Sequence, residues 1–471
     1  MTLFRGRLAA AAALAASAVL VGGVAAQAAP AGGSHYLADA LRQAVDAQNF
    51  KDVIDLTPPV QGKSMHRPAV EKYDPTDMPK TPHVLGPMTP APLHQTPNMD
   101  AAVIELDDAG RPTSMADVLL SPQYPHGVVV PVDQRRLGTD QIRYRWWDDD
   151  EWDQNGGQGT RDVLPGRENA ALDFSSPYPA SVLKLMVGFG VMRMADQGIV
   201  DVDATYDYRP GTVTSTCGGA TSKPIRQYFD EMITVSKNES TCALIKLLHD
   251  KSYVDTLNAT FTQLGMPTLM ITGTDPSTGS HWIGSNMSSI DTAKLLLIVN
   301  GGPGTLWTNA DGSRVTRDVL SASSRQLFFT TLGDQGHNEM LSTTNWCGRA
   351  YPAPGIPQVT PQRWINPVDG TMTVDGLYYG QDVRPCNATA EVAMSHKTGW
   401  VDTTGSDAAI VHSLPGKDKR NYIVVVFCNL GTDYVDVNRP ADPPGVYPVP
   451  YTQKYGQLGK AIDQIVTGLQ R

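Results

Sequence analysis

Apolar residues gather into a few segments of this chain, and their spacing sets out its elements. The run from Leu183 to Met194 is apolar almost throughout and too long for a strand, so it reads as a buried helix. A second helix is expected over Thr241–Leu248. Shorter runs at Ala101–Leu106, Gly127–Val130, Gln141–Trp147, Ala408–His412 and Tyr422–Phe427 read as strands. Pro415-Gly416-Lys417-Asp418 supplies the turn that joins the last two. Leu37, Leu41, Val45 and Phe50 predict a short amphipathic helix over Tyr36–Phe50, and Tyr455, Leu458, Ile462, Ile465 and Leu469 line one face of a closing helix. Between Pro58 and Pro97 repeated prolines remove backbone donors and block helix, so this tract is extended and is not an independent domain.

At 471 residues and 41% hydrophobic content the chain has a substantial core. A net charge of −10 argues against nucleic acid as a partner. There is no phosphate-binding Gly-Lys-Ser/Thr loop, no His-Glu-x-x-His and no Gly-x-Ser-x-Gly, so nucleotide, zinc-peptidase and α/β-hydrolase chemistries lack support. Arg5 and Arg7, an Ala/Leu/Val run and Ala26-Gln27-Ala28 make residues 1–28 a secretory signal peptide, cut before Ala29. The expected product is secreted, with no membrane span in its mature form. The acidic cluster Asp148, Asp149, Asp150, Glu151 and Asp153 lacks the spacing of a calcium loop and reads as a solvated turn. No metal and no cofactor is expected. Cys347 with Cys386 and Cys217 with Cys242 are candidate disulfides that would leave Cys428 free, although five cysteines leave the pairing open.

The chemistry begins at Ser181 and Lys184. Three-residue spacing places both on one helical face. A serine needs a neighbouring base, and a lysine serves as one when burial and nearby cations depress its pKa. Two further triplets follow, Ser236-Lys237-Asn238 between two helices and Lys397-Thr398-Gly399 after the strand-like Glu391–Met394. In this order S-x-x-K, S-x-N and K-T-G resemble the signatures of the penicillin-recognising serine hydrolases, the class A β-lactamases and D-Ala-D-Ala peptidases. The resemblance covers roughly residues 170–471. It implies an α+β, β-lactamase/transpeptidase-like fold: a five-stranded antiparallel sheet flanked by helices, plus an all-helical subdomain. The expected layout is a Pro-rich N-terminal extension over 29–100 and the hydrolase domain over 101–471. Because 161 residues separate Ser236 from Lys397, an insertion is expected at about 303–390.

On that footing Ser181 is the nucleophile and Lys184 its base. The resemblance makes Ser236 a proton relay, and Asn238 holds Lys184 and a substrate carbonyl. Lys397 and Thr398 bind the substrate carboxylate, Gly399 leaves room along the strand, and the N–H groups of Ser181 and Trp400 hold the oxyanion. The Trp400 ring is expected as a pocket wall and His396 as an outward strand residue. Class A enzymes carry a Glu-x-x-x-Asn after the second motif, whereas the stretch from Met270 to Asn286 has no glutamate, only Asp275. Asp275 is therefore the candidate deacylation base. The middle of the second motif is Lys237, where class A enzymes have aspartate. Three functions fit: a secreted serine hydrolase acting on β-lactam or D-Ala-D-Ala-like amides, a D-alanyl-D-alanine carboxypeptidase or other amide/ester hydrolase, and a protein that captures penicillin or peptidoglycan stem peptides without turnover. The intact Ser181–Lys184 pair argues against the last.

Overall fold

A computed structural model describes residues 31–56, 90–148, 151–152, 155–159, 161–338, 340–342, 347, 355–378, 382–437 and 454–470. The expected signal peptide and most of the proline-rich tract lie outside these residues, as do Asp149, Asp150 and Asp153 of the acidic cluster.

The architecture is α+β. Its centre is an antiparallel sheet built from β1 (Met99–Leu106), β2 (Pro112–Ser121), β3 (Tyr124–Val129), β4 (Val392–Val401), β5 (Thr404–Ser413) and β6 (Asn421–Cys428), in the order β4-β5-β6-β1-β2-β3. Five strands were expected. The sixth is β3, which turns back at Pro122-Gln123 and adds itself to the far edge beside β2. Both faces of the central strands are covered, so β1, β5 and β6 are buried nearly end to end.

One face carries α1 (Ala31–Ala47) and the C-terminal helix, whose Tyr455, Leu458, Ile462 and Val466 pack with Leu37, Leu41 and Val45 against Val103, Val118 and Val424. The first helix thus belongs to the folded body, although its residues precede the proline-rich tract. The other face meets the helical half: α2 (Lys184–Asp196), α3 (Ile225–Thr234), α4 (Asn238–Asp250), α5 (Val254–Gln263), α6 (Ser289–Asn300) and α7 (Ala322–Gly333). The α2 helix is apolar all round because it is buried all round. A Cβ at Gly188 would lie 2.8 Å from Phe229 and 3.0 Å from Phe328, so only glycine allows α3 and α7 to close on this helix.

The stretch expected as an insertion divides in two. Leu306, Trp307, Val315, Phe328 and Leu332 join the main core, so the chain up to Gly333 is part of the common body. Beyond it, Cys347, Met372, Val374 and Val383 form a small core of their own, with Val235, Trp364, Ile365 and Cys386 packed against it. Cys347 is bonded to Cys386 and Cys217 to Cys242, while Cys428 is a buried free thiol. The second disulfide ties a loop to the first turns of α4.

Candidate active site

Ser181 lies in a single 3-10 turn, Ala180–Leu183, that runs directly into α2. Ala180, immediately before it, has φ +48°, a left-handed conformation that costs a non-glycine residue about 1–2 kcal/mol. The chain bends sharply there and brings the serine to the edge of the sheet. Ser181 is partly exposed, whereas Lys184 at the head of α2 is almost fully buried.

The Lys184 amine points at the second motif. Its Nζ donates to Ser236 O at 2.5 Å and Asn238 Oδ1 at 2.8 Å, and it lies 3.0 Å from Ser236 Oγ. Burial, and then the Lys397 cation, hold its pKa well below that of an ordinary lysine. A neutral amine keeps two N–H donors, and Ser236 O and Asn238 Oδ1 can only accept. The lone pair is then left for Ser236 Oγ, whose hydroxyl can donate to it. Lys397 Nζ approaches the same hydroxyl oxygen at 3.1 Å. The resulting chain runs from the Lys397 cation through the Ser236 hydroxyl to the Lys184 base.

Backbone conformation aims these groups. Ser236 has φ +56°, a strained left-handed residue between α3 and α4 that turns its carbonyl and hydroxyl together towards Lys184. Asn238 opens α4 without capping it: its side chain serves Lys184 instead. The Lys237 side chain leaves the cluster and faces Asp375 at 4.0 Å. Lys397 stands on β4 opposite Ala408, on the face turned to the helical half, and also donates to Thr398 O at 2.8 Å. Thr398 is buried and registers with Asp407. Gly399 lies against the nucleophile's backbone: a Cβ there would stand 2.8 Å from Ser181 N, 2.8 Å from Pro179 O and 2.6 Å from Ser406 Oγ.

Three expectations change. The Trp400 ring packs into the core on the α1 face of the sheet, opposite Lys397, so only its backbone remains at the site. His396 is buried, with Nδ1 2.9 Å from Asp407 Oδ1 and Nε2 3.0 Å from Asn338 Oδ1. Residues 394–399 are buried without a break, so His396 has no outward position to take. Asp275 is spent on its own loop. Its carboxylate accepts from Ser277 N at 2.7 Å and Thr278 Oγ1 at 3.0 Å. Burial pushes its pKa up, but these donors outweigh burial and hold it below the ordinary aspartate value. No hydrogen bond among the described residues joins it to Ser181, Lys184, Ser236 or Asn238. The structure therefore gathers Ser181, Lys184, Ser236, Asn238, Lys397 and Gly399 at one place and leaves Asp275 in another.

Residues 160–343, which hold the first two motifs, match the model of the β-lactamase enzyme family. No curated protein matches the chain. Similar solved structures include a β-lactamase from Chitinophaga pinensis DSM 2588, 16% identical over 62% of this chain and 86% of that one, with a TM-score of 0.37. They also include PBP-A, 17% identical over 62% and 81%, TM-score 0.37, and the TLA-1 extended-spectrum β-lactamase, 12% identical over 79% and 94%, TM-score 0.40. Residues 160–343 are thus similar to the β-lactamase enzyme family, and the first two of the three ordered motifs lie within that stretch.

Proposed function

We propose that this protein is an exported active-site-serine hydrolase that forms an acyl-enzyme with β-lactams or D-Ala-D-Ala-like amides. The observation that carries the reading is the convergence of Lys184 and Lys397 on the Ser236 hydroxyl, with Ser181 one helical turn from Lys184. Ser181 Oγ attacks the carbonyl and its proton passes to the neutral Lys184 amine. As the C–N bond breaks, Ser236 gives its proton to the leaving nitrogen and regains one from Lys184, so the serine proton ends on the amine product. Lys397 attracts the carboxylate that both substrate classes carry, and backbone N–H groups at Ser181 and Trp400 receive the oxyanion.

Asp275 favours a long-lived acyl-enzyme over rapid β-lactam turnover. Its two carboxylate oxygens are already held by Ser277 and Thr278, so it is poorly placed to activate water, and loss of a general base typically costs about 10²–10⁴-fold. This supports a D-alanyl-D-alanine carboxypeptidase ahead of an efficient β-lactamase. Intact-mass spectrometry after mixing with a penicillin tests the reading. A persistent adduct, absent from Ser181→Ala, supports it. A transient adduct with accumulating penicilloate would make the protein a β-lactamase after all. No adduct and no turnover would remove β-lactam chemistry.

A further inference from the structure

The carbonyl groups that end α3 stand immediately before the strained Ser236, and a helix leaves its last carbonyls without intrahelical partners. Here three of them are met by one short segment. Gln335 Nε2 donates to Ile233 O at 3.0 Å, Gly336 N to Thr234 O at 2.8 Å and His337 Nε2 to Val235 O at 3.2 Å. The same segment grips the strand that carries Lys397. Gln335 Nε2 also reaches His396 O at 3.3 Å, and Asn338 Oδ1 meets His396 Nε2, whose ring is held from the other side by Asp407. Gln335 and Asn338 are essentially inaccessible to solvent. The segment therefore bridges the residues just before Ser236 and the residue just before Lys397.

The disulfide-bonded insert presses on this bridge. A Cβ at Gly336 would lie 2.4 Å from Val374 Cγ1 and 3.2 Å from Thr234 O, so glycine is required there and Val374 covers it directly. Asp375, next along, faces Lys237, and Arg363 forms a two-pronged pair with Asp230 on α3 at 2.7 and 2.6 Å. Trp364 Nε1 donates to Asp334 O at 2.9 Å, at the start of the bridge.

We propose that Gln335–Asn338 is a brace that fixes the separation of Ser236 from Lys397, with Gln335 its central positioning residue for proton delivery to the leaving nitrogen and Val374 of the insert as its clamp. The proposal rests on the acyl-enzyme reading above. The reaction step it governs is the transfer of the Ser236 proton to nitrogen as the C–N bond breaks. Attack by Ser181 depends on it less directly, through the surroundings of Lys184. Misplacement by roughly 1 Å costs about 10²-fold where geometry limits a step.

Two acylating reagents separate the roles. A penicillin releases nitrogen, which must be protonated as it leaves. A thioester of an acyl-D-amino acid releases a thiolate, which departs without a proton. In Gln335→Leu, penicillin acylation is expected to slow by about 10- to 100-fold while thioester acylation stays within about twofold. Val374→Ala, which leaves every hydrogen bond of the brace in place and loosens only its cover, should shift the same ratio in the same direction by a smaller factor. It also supplies the measurement should Gln335→Leu fail to fold. An equal fall with both reagents, or no fall with either, would overturn the brace. Wild-type protein acylated by neither reagent would overturn the serine-hydrolase reading, and the brace with it.

Discussion

Lys184 and Lys397 converge on one atom, the hydroxyl oxygen of Ser236, at 3.0 and 3.1 Å. Two lysines so close cannot both hold a proton without cost, and Lys184 is the one that yields. Lys184 is thereby a base at a pH where a free lysine is an acid.

The acid limb of the reaction should report this. Only the neutral amine accepts the serine proton, so acylation rises with pH through the lowered pKa of Lys184 and levels off well below 10.5. Burial causes most of the lowering and Lys397 the next part. Lys397→Met should therefore move the limb to higher pH and weaken carboxylate-bearing substrates together. Stopped-flow acylation from pH 5 to pH 10 decides this (~ the range in which such amines titrate). A limb that stays in place would mean that burial alone sets the basicity.

Gly399→Ala tests the approach of strand and nucleophile. The added methyl meets Pro179 O and Ser181 N, both backbone atoms that cannot rotate aside. Overpacking of this kind typically costs about 1–3 kcal/mol. Acylation should fall by about 10²-fold, because the strand must retreat from the oxyanion site. Melting temperature and acylation rate measured on one preparation separate the two losses, and wild-type acylation would contradict the close contact.

A second cluster of charges lies between the sheet and the start of α6. Asp100 and Asp117 are fully buried and share the Ser289 hydroxyl, with Asp291 and the Tyr144 hydroxyl nearby. Burial, then repulsion from Asp100, raises Asp117 well above 3.8, and burial also raises Asp100 and Asp291. A carboxyl raised in the folded state binds its proton more tightly there than in the unfolded chain. Its contribution is most favourable below the unfolded value and is lost as pH climbs through the raised folded value. Asp117→Asn removes that loss. The variant should melt above the wild type at neutral pH, and the two should converge towards acid. Calorimetry across the acid-to-neutral range checks it, and a variant less stable at neutral pH would mean the carboxylate is welcome where it is.

Cys428 should be inert. Burial pushes its thiol up to about 12, so almost no thiolate forms near neutrality. A thiol reagent should label none of the native protein and one cysteine of the non-reduced unfolded chain. Fast native labelling would show that β6 opens.

Much of the site was legible because its chemistry resides in side chains whose order along the chain survives folding. Ser181, Lys184, Ser236, Asn238 and Lys397 could be named from their triplets alone. Periodicity likewise located the helix at Leu183–Met194 and the β5–β6 hairpin. It could not orient His396, because in-or-out alternation carries no information on a strand buried from both sides. Gln335 and Asn338 left no signal, since the carbonyls that Gln335 meets and the His396 ring that Asn338 meets are brought near only by the tertiary fold. The region from 303 to 333 looked like insertion because of its glycine, proline and threonine, yet a few large apolar residues, Trp307, Phe328 and Leu332, were enough to draw it into the core. Asp275 is the opposite case. An aspartate two residues before a serine, in a Pro-Ser-Thr-Gly setting, is turn chemistry, and that local signal outweighed its promise as a base.

The middle of the sheet is a seam between distant parts of the chain: β1 pairs with β6, Val103 opposite Val424. Within the sheet, the hairpin strands β1 to β3 join the other three only through β6. Until that segment arrives they remain an open hairpin edge, and closing so wide a loop is slow. Completion of the sheet therefore waits for β6. The order of strands that places Lys397 beside Ser181 also keeps the nucleophile unarmed until β4 has joined the sheet through β5 and β6.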